Sequence, residues 1–123
     1  MKLAERAAVL PVDIRSEECI RLLAHEAATL HFSGCGEVLA ESALNRELVE
    51  STYLGHGLAV PHARVEGLSA AMVYVARGAG IPWPDEPADC VVLLCVPAER
   101  PELHLQLLSK VVRWRMKGGE LTI

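Results

Sequence analysis

The sequence has five histidines, and His62 has the most unusual context among them. It follows Pro61, and proline fixes its own backbone while biasing the preceding Val60 toward an extended form. Gly55 and Gly57 lie a few residues earlier, where they permit positive φ or a close backbone approach. The pattern predicts an imidazole on a stiff backbone at a strand end, although a turn histidine bonded to a backbone carbonyl would show the same pattern.

His104 is the second histidine whose position suits chemistry. It falls in the first turn of a predicted helix that Pro101 is well placed to open. Unpaired N–H groups and the positive dipole end favour an anion there, and the ring can donate to it. A neutral imidazole is a nucleophile near pH 7, because its unperturbed pKa is about 6.5. His25 and His31, on or just after the first predicted helix, are interpreted as surface or half-buried residues.

A metal or nucleotide site is the competing interpretation of these residues. His56, His62 and His104 could together form a three-histidine site, but no acidic or thiol ligand adjoins them in sequence. A phosphate-binding GxxxxGK[ST] loop is missing, and the single Gly55-His56-Gly57 is too short for a dinucleotide fingerprint. We therefore expect neither a metal nor a bound cofactor.

The elements that must position these side chains follow from hydrophobic periodicity. Ser33, Gly34, Cys35 and Gly36 should separate the first two helices, and Val38, Leu39, Ala43 and Leu48 are apolar positions of the second. The predicted elements are a helix from Ser16 to Leu30, a helix at about 37–49, a short strand and turn at 53–64, a strand at 71–76, a loop at 78–84, a buried strand at 90–96 and a helix from Pro101. This order predicts one α/β domain over 1–123, a mixed sheet flanked by helices.

Composition and charge exclude several classes of function. The chain has 123 residues, 51% of them hydrophobic, and a net charge of -4 with scattered basic residues. A nucleic-acid or membrane-surface binder would show a basic face. No apolar run approaches the ~20 residues of a membrane-spanning helix, so a soluble cytoplasmic protein is expected. Four thiols should be reduced, with Cys90 and Cys95 on opposite faces of one strand; the others are Cys19 and Cys35.

A longer motif surrounds His62. Residues 46–64 read RELVESTYLGHGLAVPHAR, and residues 101–108 read PELHLQLL. The first stretch resembles, without a gap, the signature of enzyme IIA domains of the mannitol/fructose type of the bacterial sugar phosphotransferase system, whose close relatives include nitrogen-regulatory IIA proteins. The second resembles the family's second histidine segment. The resemblance covers residue 1 to about 116.

The resemblance implies roles for individual residues. The family's phospho-acceptor histidine falls on His62, its supporting histidine on His104 and its conserved arginine on Arg46, while Thr52 and Arg64 are further candidates for contacting the phosphoryl group. It implies a mixed-sheet sandwich, the carrier protein HPr or its nitrogen-branch counterpart as phosphoryl donor, and a IIB domain as acceptor. A forked guanidinium suits phosphoryl oxygens.

Two alternatives to phosphoryl relay stay open on the sequence. One is a regulatory module whose phosphorylation state controls partner binding, and the other is a degenerate domain that no longer transfers. Neighbouring IIB and IIC genes would favour transport. Family members usually continue for several tens of residues after the His104 helix, so we expect either a homodimer that covers exposed sheet surface or a shortened variant with weakened transfer.

Overall fold

The structure, a computed structural model, describes residues 2–31, 36–118 and 121. In these residues six strands form one sheet, and helices lie on both of its faces, which confirms the predicted fold class. The predicted helix break at Ser33, Gly34 and Cys35 lies outside the described residues. The elements are β1 (Lys2–Glu5), α1 (Ser16–His31), α2 (Gly36–Val49), β2 (Tyr53–Gly55), β3 (Leu58–Ala59), β4 (His62–Val65), β5 (Met72–Ile81), β6 (Ala88–Pro97) and α3 (Glu102–Lys117).

The sheet is mixed and has β6 near its centre. Its order is β1-β5-β6-β3-β2, with β4 also paired to β6. β5 runs antiparallel to β6 along one edge, while β3 and β4 run parallel to β6 along the other. β3 meets β6 at Cys90 and Val91, and β4 meets it at 94–97. The strand carrying His62 is thereby held against the most central strand of the sheet.

Two apolar layers hold the helices to the sheet. On one face α1 and α2 pack through small residues, including Ala24, Ala27, Ala40 and Ala43, which let the helices approach the sheet closely. On the other face α3 contributes Leu107 and Val111. Cys95 belongs to the first layer and Cys90 to the second, which confirms that they point to opposite faces.

Several apolar positions of the predicted helices are exposed rather than buried. In α2 the buried residues include Leu39 and Ala43, whereas Val38 and Leu48 are exposed. Leu30 of α1 is also exposed. The apolar residues of α2 occupy more than one face, and the sheet covers only one of them.

The prediction of a loop at 78–84 is wrong for residues 78–81, because β5 continues to Ile81. The pairing of β5 with β6 is irregular between Arg77 and Ile81, where Ile81 lies opposite Ala88. Gly80 has φ +66°, and a Cβ on Gly78 would lie 2.6 Å from the Ile81 side chain. The glycines therefore absorb a strand irregularity instead of ending the strand.

α3 covers the centre of its sheet face in the described structure, where the strand side chains packed in that layer are at most 3% exposed. At the edge of the same face, Leu3 of β1 lies beside Val73 and is 44% exposed. Apolar surface remains beside the end of α3, in a groove of about 380 Å³ lined partly by Leu54, Val112 and Met116. That a second copy covers such surface stays a prediction. None of the described helices has the length and apolar character needed to span a bilayer.

The turn between β2 and β3 generates a stability prediction at Gly57. Its φ is +78°, and a Cβ there would lie 2.6 Å from Asp89 Oδ1, whereas Gly67 has a similar φ of +82° with nothing within 4 Å. Gly67→Ala should therefore show only the backbone penalty of about 1–2 kcal/mol in the free energy of unfolding. Gly57→Ala should lose up to about 1 kcal/mol more, because the exposed Asp89 side chain must turn and give up its ion pair with Arg115. Urea denaturation measures both, and equal losses would contradict the packing argument.

Candidate functional site

His62 opens β4 at a point where the backbone is bonded on both sides of Pro61. β3 and β4 keep the same register against β6 across this proline. The Leu94 N–H donates to the Pro61 carbonyl at 3.0 Å, and the Val60 N–H donates to the Thr52 carbonyl at 3.0 Å. Proline has no N–H to leave unpaired here, so the chain passes from β3 to β4 without a shift. The predicted stiff backbone before His62 is thus observed.

The side chain of His62 lies against that of His104. The ring centroids are 4.2 Å apart, with an interplanar angle of 67°. Both ring nitrogens of His62 are buried, and neither has a hydrogen-bond partner within the described part of the chain. Buried polar atoms are normally bonded, so these two unpaired nitrogens mark the imidazole as a candidate functional group.

The helix that carries His104 begins one residue later than predicted. α3 starts at Glu102, with Pro101 as its N-cap. The N–H groups of Leu103 and His104 donate to the carbonyls of Arg100 and Pro101 at 3.1 and 3.2 Å. The expectation of unpaired N–H groups at His104 is therefore wrong for its own amide, and its ring is the part that faces His62.

The surroundings of His62 strongly favour the neutral ring. Burial, the adjoining His104 and the positive charge of Arg46 lower the pKa of His62 to about 3. Burial, Arg46 and Arg64 lower the pKa of His104 as well. Because the unperturbed pKa of an imidazole is about 6.5, His62 is a neutral nitrogen base at neutral pH.

Two arginines reach this pair from different elements. Arg46 lies in the last turn of α2, where its Nη1 donates to the Glu50 carbonyl at 2.7 Å. Arg64 lies two residues after His62 on β4, so both side chains point to the same face of the strand. The structure thus assembles four of the predicted residues, His62, His104, Arg46 and Arg64, in one region of positive charge.

Thr52 has a different position from the one expected. It is 3% exposed, and its hydroxyl and N–H both donate to the carboxylate of Glu47, the N–H at 3.2 Å to Oε2. The side chain is therefore committed to holding the turn between α2 and β2, and its partner is neither His62 nor His104. The Arg-Glu and Ser-Thr pairs of the motif are joined by this contact.

Ser42, which bonds the strand that carries His62, was not among the residues predicted from the sequence. Its hydroxyl accepts from the Arg64 N–H at 2.8 Å and donates to the Arg64 carbonyl at 3.0 Å, which fixes α2 to β4. Ser42 precedes Arg46 by one helical turn, and residues so spaced share a helix face. The spacing of four residues from Arg46 is the sequence feature that could have indicated Ser42.

His56 lies away from the histidine pair. Its carbonyl accepts from Arg115 Nη2 at 2.9 Å, near the end of α3, whereas His104 is in the first turn of that helix. Arg115 follows His104 by eleven positions, which corresponds to about 16 Å of helix. The three-histidine arrangement is therefore not assembled, and no group of three or more His, Cys, Asp or Glu in residues 2–31, 36–118 and 121 is placed to hold a metal ion.

A separate cleft of about 540 Å³ lies between β1 and α1. Its polar side chains bond one another, since Arg6 and Tyr74 both donate to Glu26, at 3.0 and 2.7 Å. Burial, with the hydrogen bond to Glu26, raises the pKa of Tyr74 to about 12. This cleft presents paired groups, in contrast to the unpartnered ring of His62.

Comparison with known proteins finds relatives along most of the chain. A nitrogen regulatory protein from Klebsiella oxytoca is 29% identical over an alignment that covers 82% of this chain and 73% of that protein. A nitrogen regulatory protein from Escherichia coli K12 is 34% identical over 72% of this chain and 57% of its own length. The chain thus spans between about half and three quarters of these curated relatives.

Solved structures share the fold. Nitrogen regulatory protein IIA-Ntr from Neisseria meningitidis matches with a TM-score of 0.70 and 23% identity, over 95% of this chain and 79% of that one. Enzyme IIAMtl from Escherichia coli, in a complex with phosphorylated enzyme IIBMtl, matches with a TM-score of 0.63 and 19% identity, over 89% and 81%.

The family model described as "Phosphoenolpyruvate-dependent sugar phosphotransferase system, EIIA 2" matches residues 3–120. That range includes every residue placed around His62. The chain belongs to this EIIA family.

Proposed function

We propose that His62 accepts a phosphoryl group from phosphorylated HPr, or from its nitrogen-branch counterpart, and passes it to a IIB domain. The observation that carries the proposal is the half-buried side chain of His62, whose two ring nitrogens are buried without a hydrogen-bond partner in the described structure and whose ring centroid lies 4.2 Å from that of His104. The buried nitrogens of a structural histidine normally have such partners.

Phosphoryl transfer needs an in-line nucleophile and stabilisation of charge on the oxygens. A ring nitrogen of neutral His62 donates its lone pair to phosphorus while the bond from phosphorus to the donor's leaving atom breaks. Arg46 balances the charge on the phosphoryl oxygens, and its bond to the Glu50 carbonyl fixes its direction. His104 donates a hydrogen bond to one of these oxygens. The product N–P bond is labile, so a second acceptor can take the group.

Exposed apolar side chains lie on the same helices as Arg46 and His104. Val49, three residues after Arg46 on α2, is 81% exposed, and Leu105, next to His104 on α3, is 71% exposed. We propose that these side chains belong to the surface that receives the protein donor and acceptor.

A regulatory role is the second candidate. It is favoured by the relatives named as nitrogen regulatory proteins, one of which is 34% identical to this chain. The match to IIAMtl, whose structure was solved with phosphorylated IIBMtl, supports transfer instead. Both roles require the same histidine, and both suit a cytoplasmic protein; they differ in whether a IIB domain removes the phosphoryl group.

Phosphorylation of His62 is tested by incubating the chain with phosphoenolpyruvate, enzyme I and HPr, followed by intact-mass measurement. We expect one acid-labile phosphoryl adduct on the wild-type chain and on His25→Ala, an exposed histidine bonded to Glu37. His62→Ala should show none. Failure of the wild-type chain under conditions that phosphorylate a control IIA domain would refute the proposal. Discharge of the adduct by added IIB domains favours transfer, and its persistence favours regulation.

Arg46→Ala and His104→Ala should each slow formation of the adduct by about 100-fold, the usual effect of removing one group that stabilises transition-state charge. Both side chains are partly exposed, so the variants should fold. The rate is followed by intact mass at limiting phospho-HPr, with Arg21→Ala, a surface arginine paired with Glu37, as the control. A wild-type rate in either variant would remove that residue from the mechanism.

The lowered pKa of His62 predicts how stability depends on pH. Between pH 6.5 and about 3 the unfolded chain binds a proton at His62 that the folded chain does not. The free energy of unfolding should therefore decrease as the pH is lowered from 6.5 toward 3, by up to about 1.4 kcal/mol per pH unit from this group. His62→Ala and His62→Gln should both show a shallower fall in urea denaturation between pH 6.5 and 4.5. Curves parallel to the wild type would show that the ring is protonated normally in the folded state.

A further inference from the structure

We infer that Ser42 is a positioning residue for the reaction proposed at His62: its hydroxyl holds β4 against α2 so that Arg46 faces the acceptor ring. The inference rests on the proposed function. It concerns a residue that contacts neither the imidazole nor the phosphoryl group.

The hydrogen bonds of Ser42 are directed at one residue of β4. Ser42 Oγ accepts from the Arg64 N–H at 2.8 Å and donates to the Arg64 carbonyl at 3.0 Å. A single hydroxyl thereby pairs both the N–H and the carbonyl of Arg64, which a neighbouring strand would otherwise pair. The opposite side of β4 is bonded to β6, as in the bond from the Ala98 N–H to the Val65 carbonyl at 2.9 Å.

The spacing on the two elements links this contact to the site. On α2, Ser42 and Arg46 lie one turn apart on the same face, with Cβ atoms about 5–6 Å from each other. On β4, Arg64 and His62 lie two residues apart on the same face, about 6.5 Å from each other. Fixing Ser42 on Arg64 therefore fixes the next position along each element, and those positions are Arg46 and His62.

The charge of Arg46 acts on both histidines of the pair, as the lowered pKa values of His62 and His104 show. Arg46 is anchored along its own helix axis by the bond to the Glu50 carbonyl. That bond lies within the segment 46–50, so it cannot set the position of α2 relative to β4. Ser42 supplies two side-chain hydrogen bonds that join these two elements.

A double-mutant cycle tests this role. Ser42→Ala should slow formation of the phosphoryl adduct about tenfold, less than the ~100-fold that a misplacement of 1 Å can produce. In Arg46→Ala the guanidinium that Ser42 would position is gone. Ser42→Ala/Arg46→Ala should therefore be phosphorylated no more slowly than Arg46→Ala alone. Ser109→Ala is the matched control, since Ser109 is an exposed serine whose hydroxyl accepts from Arg113 of its own helix. It should react at the wild-type rate.

Amide hydrogen exchange separates positioning from general loosening. In Ser42→Ala the Arg64 amide should exchange faster, because its acceptor is gone, while the Ala98 amide keeps its wild-type rate. Faster exchange at both amides would mean that β4 has left β6 and would overturn the inference. So would a wild-type rate of phosphorylation in Ser42→Ala, or independent losses that multiply in the double variant. Absence of an adduct on the wild-type chain would overturn the proposed function and this inference together.

Discussion

The site depends on the burial of an imidazole whose two nitrogens are not bonded to the described chain. Leaving such atoms unpaired lowers stability, because their hydration is lost without replacement. The fold offsets this through the dense apolar layers on both sides of β6, whose residues from Cys90 to Leu94 are fully buried. β4, which carries His62, is hydrogen-bonded to β6. The backbone of His62 is therefore fixed, and this limits movement of the ring into solvent. A surface histidine on a loose turn would not be held in this state.

The positive charges around the pair complement that burial. Arg46 and Arg64 come from α2 and β4, and neither element would place a cation there by itself. Both arginines disfavour a proton on the histidine pair, and both would favour an anion at the same place. One set of charges therefore keeps the His62 ring neutral and would attract the phosphoryl oxygens in the proposed reaction. Conventional ion pairs, such as Arg21 with Glu37, lie elsewhere on the surface.

Much of this arrangement was predictable because the motif is contiguous. The stretch from Arg46 to Arg64 contains the end of α2, the β2–β3 turn and the acceptor strand, so local patterns and the family resemblance both apply to it. Ser42 was missed because its partner, Arg64, is 22 residues away and the contact is with backbone atoms that no sequence pattern marks. The full extent of β5 was not predicted, because Gly78 and Gly80 indicate a loop, whereas the strand passes through an irregularity there and pairs with β6 again at Ile81. Periodicity places Leu48 among the apolar positions of α2, but it does not show which of these positions the sheet covers.

The unbroken register of β3 and β4 along β6 has a consequence for signalling. Both β3 and β4, on either side of Pro61, are hydrogen-bonded to β6. A phosphoryl group on His62 can therefore hardly alter the backbone without breaking those hydrogen bonds. The two forms of the molecule would then have nearly one shape and would differ by the roughly two negative charges of a phosphoryl group. A partner that distinguishes them must read the electrostatic potential of the surface around residue 62. Its discrimination should accordingly weaken as salt shortens the Debye length.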